Sequence, residues 1–510
     1  MLFLAGGAYA AGSAETHCKM CRVRRIRFRA SMACDVNASS NAMLNASPAV
    51  TCALPSKLTL WHKIAYGVGD FGGNLFWTTT NLYLLYYYTD VLKINPAIAG
   101  AIYMVSMLWD AITDPIMGVI ASRTRSRWGR YRPYLFFAAI PTGFSYLLLF
   151  YPLTPGTASA VWFALLFHML FRTSFTVLGI PYGSLMATLT TDSRERSELA
   201  AARMVFATMG ALFVAALTLP LVAKVGGSDR QYGFLVVAAG YAIVGSALFM
   251  ITAAFTRERV ADPHEVLFKW HDVWRLLMRN YAFQRLALGI ILFSIGSTIA
   301  TKTLVYVFKY NYDAPDKVSA GLGVYILMVS VFTLVWMWTG KRFSKRQAWM
   351  VGASINTVAW AAIWLIAPST TTGLIALLAL AGIGAAAIPV TFWSMIPDTV
   401  EYSELTTGIR AEGFWFGMVA LAQKIALGVG VGLVGVSLDW ASYVAEGVQS
   451  AATLKSMQLI MTVPPIALGI LSIIVIAKYP INHQYHARLV DLIARRRATR
   501  LAREANATLK

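Results

Sequence analysis

The chain has 510 residues, of which 57% are hydrophobic and only 13% charged. Soluble domains carry roughly twice that charged fraction, so a soluble globular protein is excluded and a polytopic membrane protein indicated. The formal net charge of +20 is no nucleic-acid footprint until its position relative to a membrane is known.

All the cysteines (Cys18, Cys21, Cys34 and Cys52) fall near the N-terminus. Cys18-Lys-Met-Cys21 has metal-ligand or redox spacing, but no second Cys/His pair follows it. LFLAGGAYAAGSA contains a short apolar run without the basic stretch that opens a signal peptide. Residues 1–57 therefore read as a disordered or misassigned extension, with Met43 as an alternative initiator. Disulfides contribute nothing to the remainder.

A helix needs about 20 apolar residues to cross a bilayer. Blocks of that kind lie near 61–89, 95–122, 133–152, 158–189, 200–223, 232–256, 282–311, 317–340, 348–367, 372–396, 413–437 and 456–478, which predicts twelve spans. The connecting loops alternate in basicity. One set carries Arg123, Arg125, Arg127, Arg130 and Arg132, then Arg194 and Arg196, then Arg257, Arg259, Lys269, Arg275 and Arg279. It continues with Lys341, Arg342, Lys345 and Arg346 and with the arginines of the tail 479–510. By the positive-inside rule, both termini are cytoplasmic in a multi-pass cell-membrane protein, a bacterial inner membrane being the natural setting. The tail suits lipid headgroups rather than nucleic acid.

The longest cytoplasmic connection, 257–281, divides the chain into six-helix bundles at 58–256 and 282–478. Within it, VLFKWHDVWRLLMRN sets Leu267, Trp270, Trp274, Leu277 and Met278 on one face. That pattern fits a helix lying in the interface as well as a plain tether. The expected architecture is all-α, twelve transmembrane helices in two bundles, with a substrate site at the midplane between them.

Charge inside the hydrocarbon costs several kcal/mol by most estimates, which makes each intramembrane ion a functional hypothesis. Asp70, Asp110, Asp114, Arg172, Arg203, Lys302 and Lys424 are such residues. Asp110 and Asp114, in WDAITDP, stand four apart on one helix face. Two charges about 6 Å apart at an effective dielectric near 20 repel by roughly 3 kcal/mol. A bound Na⁺, a proton or a nearby lysine would relieve them, and Thr113 could add a hydroxyl to such a cation site. The alternative is a structural ion pair with Lys424, which has no acid within one turn of its own helix. Arg172, with Thr176, Gly179 and Gly183 on one broad face, could meet an anionic substrate group such as a uronate, or pair with Asp70. Trp77, Tyr83 and Trp393 could stack on sugar rings, but suit packing better. No nucleophile–base set or phosphate loop is present, so no enzyme is expected.

KIAYGVGDFGGNLFWTTTNLYLLYYYTDVL, then WDAITDPIMGVIASRTRSRWGRYRPY, with GIPYGSL, PDTVEYSE and the lysine of span 11, resemble the glycoside–pentoside–hexuronide:cation symporters of the major facilitator superfamily, from about Leu58 to Pro480. The resemblance implies cation-coupled sugar transport by alternating access, without a cofactor beyond the coupling ion, Na⁺ or H⁺. It makes Asp110 and Asp114 the cation ligands (for Na⁺ in a sodium-coupled carrier), with Lys424 and Thr176 close by. Arg203 falls where the family has a basic residue near the sugar, and the loop with Arg123, Arg125, Arg130 and Arg132 helps gating. Asn74, Gly179 and Gly183 replace an aspartate, an aspartate and a tryptophan of melibiose-type members, so a larger or acidic glycoside or a hexuronide is expected. Carriage of a lysophospholipid or another amphiphile in the same fold is the alternative. The expected partners are the sugar and the bilayer, with no nucleic acid, and the carrier is expected to be a monomer.

Overall fold

A computed structural model describes residues 58–190, 193–258, 270–342, 344–407 and 412–481, with isolated positions between 485 and 495. The predicted extension 1–57, Leu267 in the linker and most of the tail lie outside the described residues. Regular structure among the described residues is helical: α1 (Leu60–Tyr86), α2 (Pro96–Arg123), α3 (Arg132–Phe137), α4 (Ala139–Leu148), α5 (Ala158–Leu189), α6 (Ser193–Gly226) and α7 (Arg230–Phe255). After the linker come α8 (Trp270–Arg279), α9 (Tyr281–Tyr306), α10 (Val318–Arg342), α11 (Lys345–Ile366), α12 (Thr371–Ala385), α13 (Ala387–Thr407), α14 (Glu412–Trp440) and α15 (Ala451–Ala477).

Among the described residues, ten segments are long and apolar enough to cross a membrane. The other two predicted spans are α1, whose apolarity is lowered by Lys63, Asp70, Asn74 and a run of threonines, and the α3–α4 pair. Proline explains where helices break. Pro141 and Pro389 have no N–H to give the preceding turn, and their rings crowd its carbonyl. The chain accordingly interrupts at Ala138 and at Ala386. Pro115 and Pro397, by contrast, lie inside continuous helices. The sequence places the end of span 10 at 396, yet α13 runs on to Thr407. Its Asp398, nearly buried, is neutralised by Lys345 at 2.7 Å, so this acid does not end the span.

The two halves repeat one pairing scheme. α1 packs on α6 and α7 as α9 packs on α14 and α15; α2 packs on α5 as α10 does on α12; α4 packs on α7 as α11 does on α15. α1 and α9 each pass into a single π turn, Tyr87–Val91 and Val307–Asn311. Such internal repetition belongs to transporters built from related bundles. Across the halves, α2 packs on α14 and α6 on α10.

The α2–α14 seam is close because its residues are small. A Cβ on Gly435 would collide with the Pro96 carbonyl, and one on Gly100 would lie 3.0 Å from the Gly435 Cα. Small residues that let backbones touch are how helices associate where lipid removes the hydrophobic drive.

At the end of the bundle away from the arginine-rich loops, a polar latch ties the halves. Asp90, 2% exposed, accepts hydrogen bonds from Lys309 Nζ at 2.6 Å and from the Tyr310 and Tyr443 hydroxyls at 2.7 Å. Lys309 also reaches Glu446 at 2.6 Å, and Glu446 in turn pairs with Arg230 at 3.4 Å. In the linker, α8 buries Leu276, half-buries Leu277 and leaves Trp274 and Met278 exposed.

Candidate functional site

The middle of the α2–α14 seam holds three of the polar residues that the sequence singles out, Asp110, Asp114 and Lys424. Asp110 and Asp114 leave α2 one turn apart, and Lys424 of α14 reaches both. Its Nζ is 2.8 Å from Asp110 Oδ2 and bonds directly to Asp114 Oδ2. Thr176 of α5 closes the group: its Oγ1 is 2.7 Å from Asp110 Oδ1 and 2.9 Å from Asp114 Oδ1. A hydroxyl has one hydrogen, so it satisfies one carboxylate oxygen at a time. The other contact calls for a proton on the second carboxyl or a cation beside it. Asp110 is 1% exposed and Asp114 keeps partial access.

Thr113 is not part of this group. Its hydroxyl turns back on its own helix, 3.2 Å from the Asp110 carbonyl oxygen. A threonine has this local partner available in any helix, and spacing alone gives no sign of which partner it takes.

Arg172 lies fully buried behind the pair, its Nη1 4.0 Å from Asp110 Oδ2. The guanidinium sits over Trp77 and Tyr103, 5.1 and 5.6 Å from the ring centroids. Its Nε donates to His168 Nε2 at 3.3 Å and its Nη2 to the Tyr103 hydroxyl at 3.5 Å. The suggested Arg172–Asp70 pair does not form. Asp70 is held by Arg203 through two hydrogen bonds, Nε at 2.6 Å and Nη2 at 3.1 Å, with the Tyr182 hydroxyl at 2.7 Å. A bidentate guanidinium–carboxylate pair fixes both groups in one geometry. Arg203 and Asp70 therefore form a rigid polar post between α1 and α6.

Asn74, one turn along α1 from Asp70, donates to the Asp70 carbonyl at 2.8 Å and accepts from Thr78 at 3.0 Å. One amide hydrogen of Asn74 is left without a partner in these two bonds. On α5, a Cβ at Gly183 would meet nothing within 4 Å, and one at Gly179 only the edge of Phe175 at 3.9 Å. The two glycines leave room where larger side chains would fill it.

Of the loop arginines, Arg123 and Arg125 are exposed, whereas Arg130 and Arg132 are half-buried. The segment is pinned by a residue that the sequence reading passed over. Glu258, beyond α7, accepts from the backbone N–H groups of Arg130, Tyr131 and Arg132 at 2.8, 2.7 and 3.2 Å. Gly129 turns the chain there at φ +107°, and a Cβ on it would lie 2.6 Å from Glu258 Oε1. An acid within an otherwise basic stretch was the available signal.

Residues 65–483 match the family model described as MFS/sugar transport protein. The chain belongs to that family. An isoprimeverose transporter of Lactiplantibacillus pentosus is 29% identical over 459 residues, covering 88% of this chain and 95% of its own. A glucuronide carrier protein homolog of Escherichia coli is 26% identical, covering 86% and 96%. A solved chain from work on proton-dependent oligopeptide transporters superposes with a TM-score of 0.62 at 13% identity, over 84% of this chain and 99% of that one. It shares the fold alone. Membership of the MFS/sugar transport family agrees with the motif resemblance to glycoside–pentoside–hexuronide:cation symporters. The cluster on α2, α5 and α14 thus sits in the fold of a sugar-transport family.

Proposed function

We propose that this chain is a secondary carrier that couples uptake of a sugar, glycoside or hexuronide to a cation, Na⁺ or H⁺, by alternating access. The observation that carries the reading is the cluster of Asp110, Asp114, Thr176 and Lys424, contributed by both halves of the molecule and lying where the halves meet. The names of the relatives, an isoprimeverose transporter and a glucuronide carrier homolog, support a sugar or sugar acid as cargo.

A cation that loads onto the two carboxylates competes with Lys424 for them. Because Lys424 belongs to the opposite half, loading changes the attraction between the halves, and that is the property alternating access needs. Asp70, Arg203, Tyr182 and Asn74 offer donors and acceptors for sugar hydroxyls, beside the open space at Gly179 and Gly183. Cation and sugar raise each other's affinity by one and the same factor. The face that carries Arg123, Arg125, Arg130 and Arg132 is cytoplasmic, in a bacterial inner membrane, with both termini on that side. A monomer contains every group this cycle uses.

The test is counterflow of a labelled panel (pentosides, hexosides and hexuronides) by the purified chain in liposomes. Exchange of at least one of them supports the reading; exchange of none refutes it.

A further inference from the structure

Resting on the symporter reading above, the inference concerns which sugars the site accepts and how the cation reports to them. The buried group behind the carboxylate pair has more basic than acidic side chains. Lys424, Arg172 and Lys302 are its cations, and Asp110 and Asp114 its anions. His168 adds none, since its Nε2 accepts from Arg172 Nε and so bears no proton. With every ion charged, three cations face two carboxylates, both already engaged by Lys424.

Arg172 is where the excess concentrates. It is wholly buried, two of its nitrogens contact only neutral groups, and Nη1 has no hydrogen-bond partner. Asp110, at 4.0 Å, stands beyond hydrogen-bond reach. Lys302 of α9 comes from the other half to the same place. Its Nζ lies 4.6 Å from the centroid of the Tyr103 ring and donates to the Asn81 carbonyl, a neutral acceptor. Buried cations are normally paired with anions, because their desolvation is otherwise uncompensated. Among the described residues Arg172 has only its long pair with Asp110, which Lys424 also engages, and Arg172 and Lys302 come from different bundles.

We propose that Arg172, backed by Lys302, binds the carboxylate of a hexuronide, and that Arg172 links the two cargo sites by sharing Asp110 between them. When the coupling cation takes Asp110, Arg172 loses its nearest counter-charge and the substrate carboxylate supplies another. In this conformation the guanidinium is covered by Trp77 and Tyr103, so the carboxylate enters as one ring moves aside. A cation and a hexuronate carried one to one add no net charge to the group, whereas a cation with a neutral sugar adds a positive charge to an existing excess.

The experiment is accumulation by the full chain in proteoliposomes under a sodium or a proton gradient. The probes are methyl β-glucuronide, glucuronate and galacturonate against methyl β-glucoside, glucose and xylose. The expected result is accumulation of at least one acidic probe, to a steady state that an interior-negative potential does not change. Arg172→Gln should lower that uptake about 100-fold and Lys302→Gln about tenfold, as for truncating one partner of a buried charge pair. Arg172→Lys, which keeps the charge, should restore part of it. Should Arg172→Gln fail to fold, judged by elution and thermal unfolding, Arg172→Lys and Lys302→Gln decide: acidic uptake equal to the parent's in both overturns the proposal. Accumulation of neutral probes alone, potential-driven accumulation of the acidic ones, or full acidic uptake by a folded Arg172→Gln protein also overturns it, while leaving the symporter reading intact. Accumulation of no probe by the parent chain, when it also fails to exchange any sugar, removes the symporter reading instead.

Discussion

The two aspartates of α2 show how far one residue's chemistry reaches. Asp110 has contacts to Lys424 and Thr176 and lies 4.0 Å from Arg172, so two other helices, α5 and α14, register its charge. Replacing it by asparagine leaves Lys424 one carboxylate and Arg172 none. Asp110→Asn and Asp114→Asn should each abolish concentrative uptake, a fall of about 100-fold or more, while sugar exchange persists. Parallel uptake and counterflow assays check this. Arg203→Ala removes the bidentate hold on Asp70 and should raise the KM for sugar about tenfold, with the ion dependence kept. Kinetics at saturating and zero ion gradient would show it. At this scale the residue pattern by itself is informative about ions and silent about hydroxyls, and Thr176 entered the cation site only through the family resemblance. A carboxylate in hydrocarbon stands out whatever its neighbours, so Asp110, Asp114 and Lys424 were legible. Thr113 and Thr176 look alike on paper, yet one bonds its own backbone and the other lies within hydrogen-bond distance of both aspartates. Arg172 had two candidate roles, and only the fold shows that Arg203 occupies Asp70.

At the level of elements, helix positions followed from apolar length, whereas helix ends depended on partners. Lys345 neutralises Asp398 from another helix, and no local pattern announces that. Glu258 is similar: one carboxylate organises three amides of a loop that is distant in sequence. Glu258→Gln weakens those bonds from charge-assisted to neutral acceptors. Hydrogen exchange at Arg130, Tyr131 and Arg132 should then quicken about tenfold, with the α7 interior unchanged; mass-spectrometric exchange on the loop peptides measures it. At the α2–α14 seam, a valine at Gly435 has no room against Pro96 and Gly100. Gly435→Val should keep the two halves apart at the latch end and slow turnover by about 100-fold, even where ion binding survives.

For the molecule as a whole, span count and loop charge led to the expected division at the linker, whereas the repeated pairing of helices is visible only in the fold. So is the latch. Asp90 sits at the end of a span, where an acid reads as an ordinary loop residue, and its partners Lys309, Tyr310 and Tyr443 arrive from the other half. Asp90→Asn removes the charge on which they converge, so the latched state should lose population to the state open at that end. A cysteine placed at Thr89, in a chain whose four native cysteines are serines, should then react several-fold faster with an impermeant maleimide from that side.

The central claim is that sugar moves because an ion moves with it, and that Asp110 and Asp114 hold the ion. Sugar accumulation in proteoliposomes under an imposed sodium or proton gradient tests it most directly, with the parent chain beside Asp110→Asn and Asp114→Asn. The account predicts accumulation above equilibrium in the parent under at least one gradient, and none in either variant. Undiminished accumulation by both variants would contradict it.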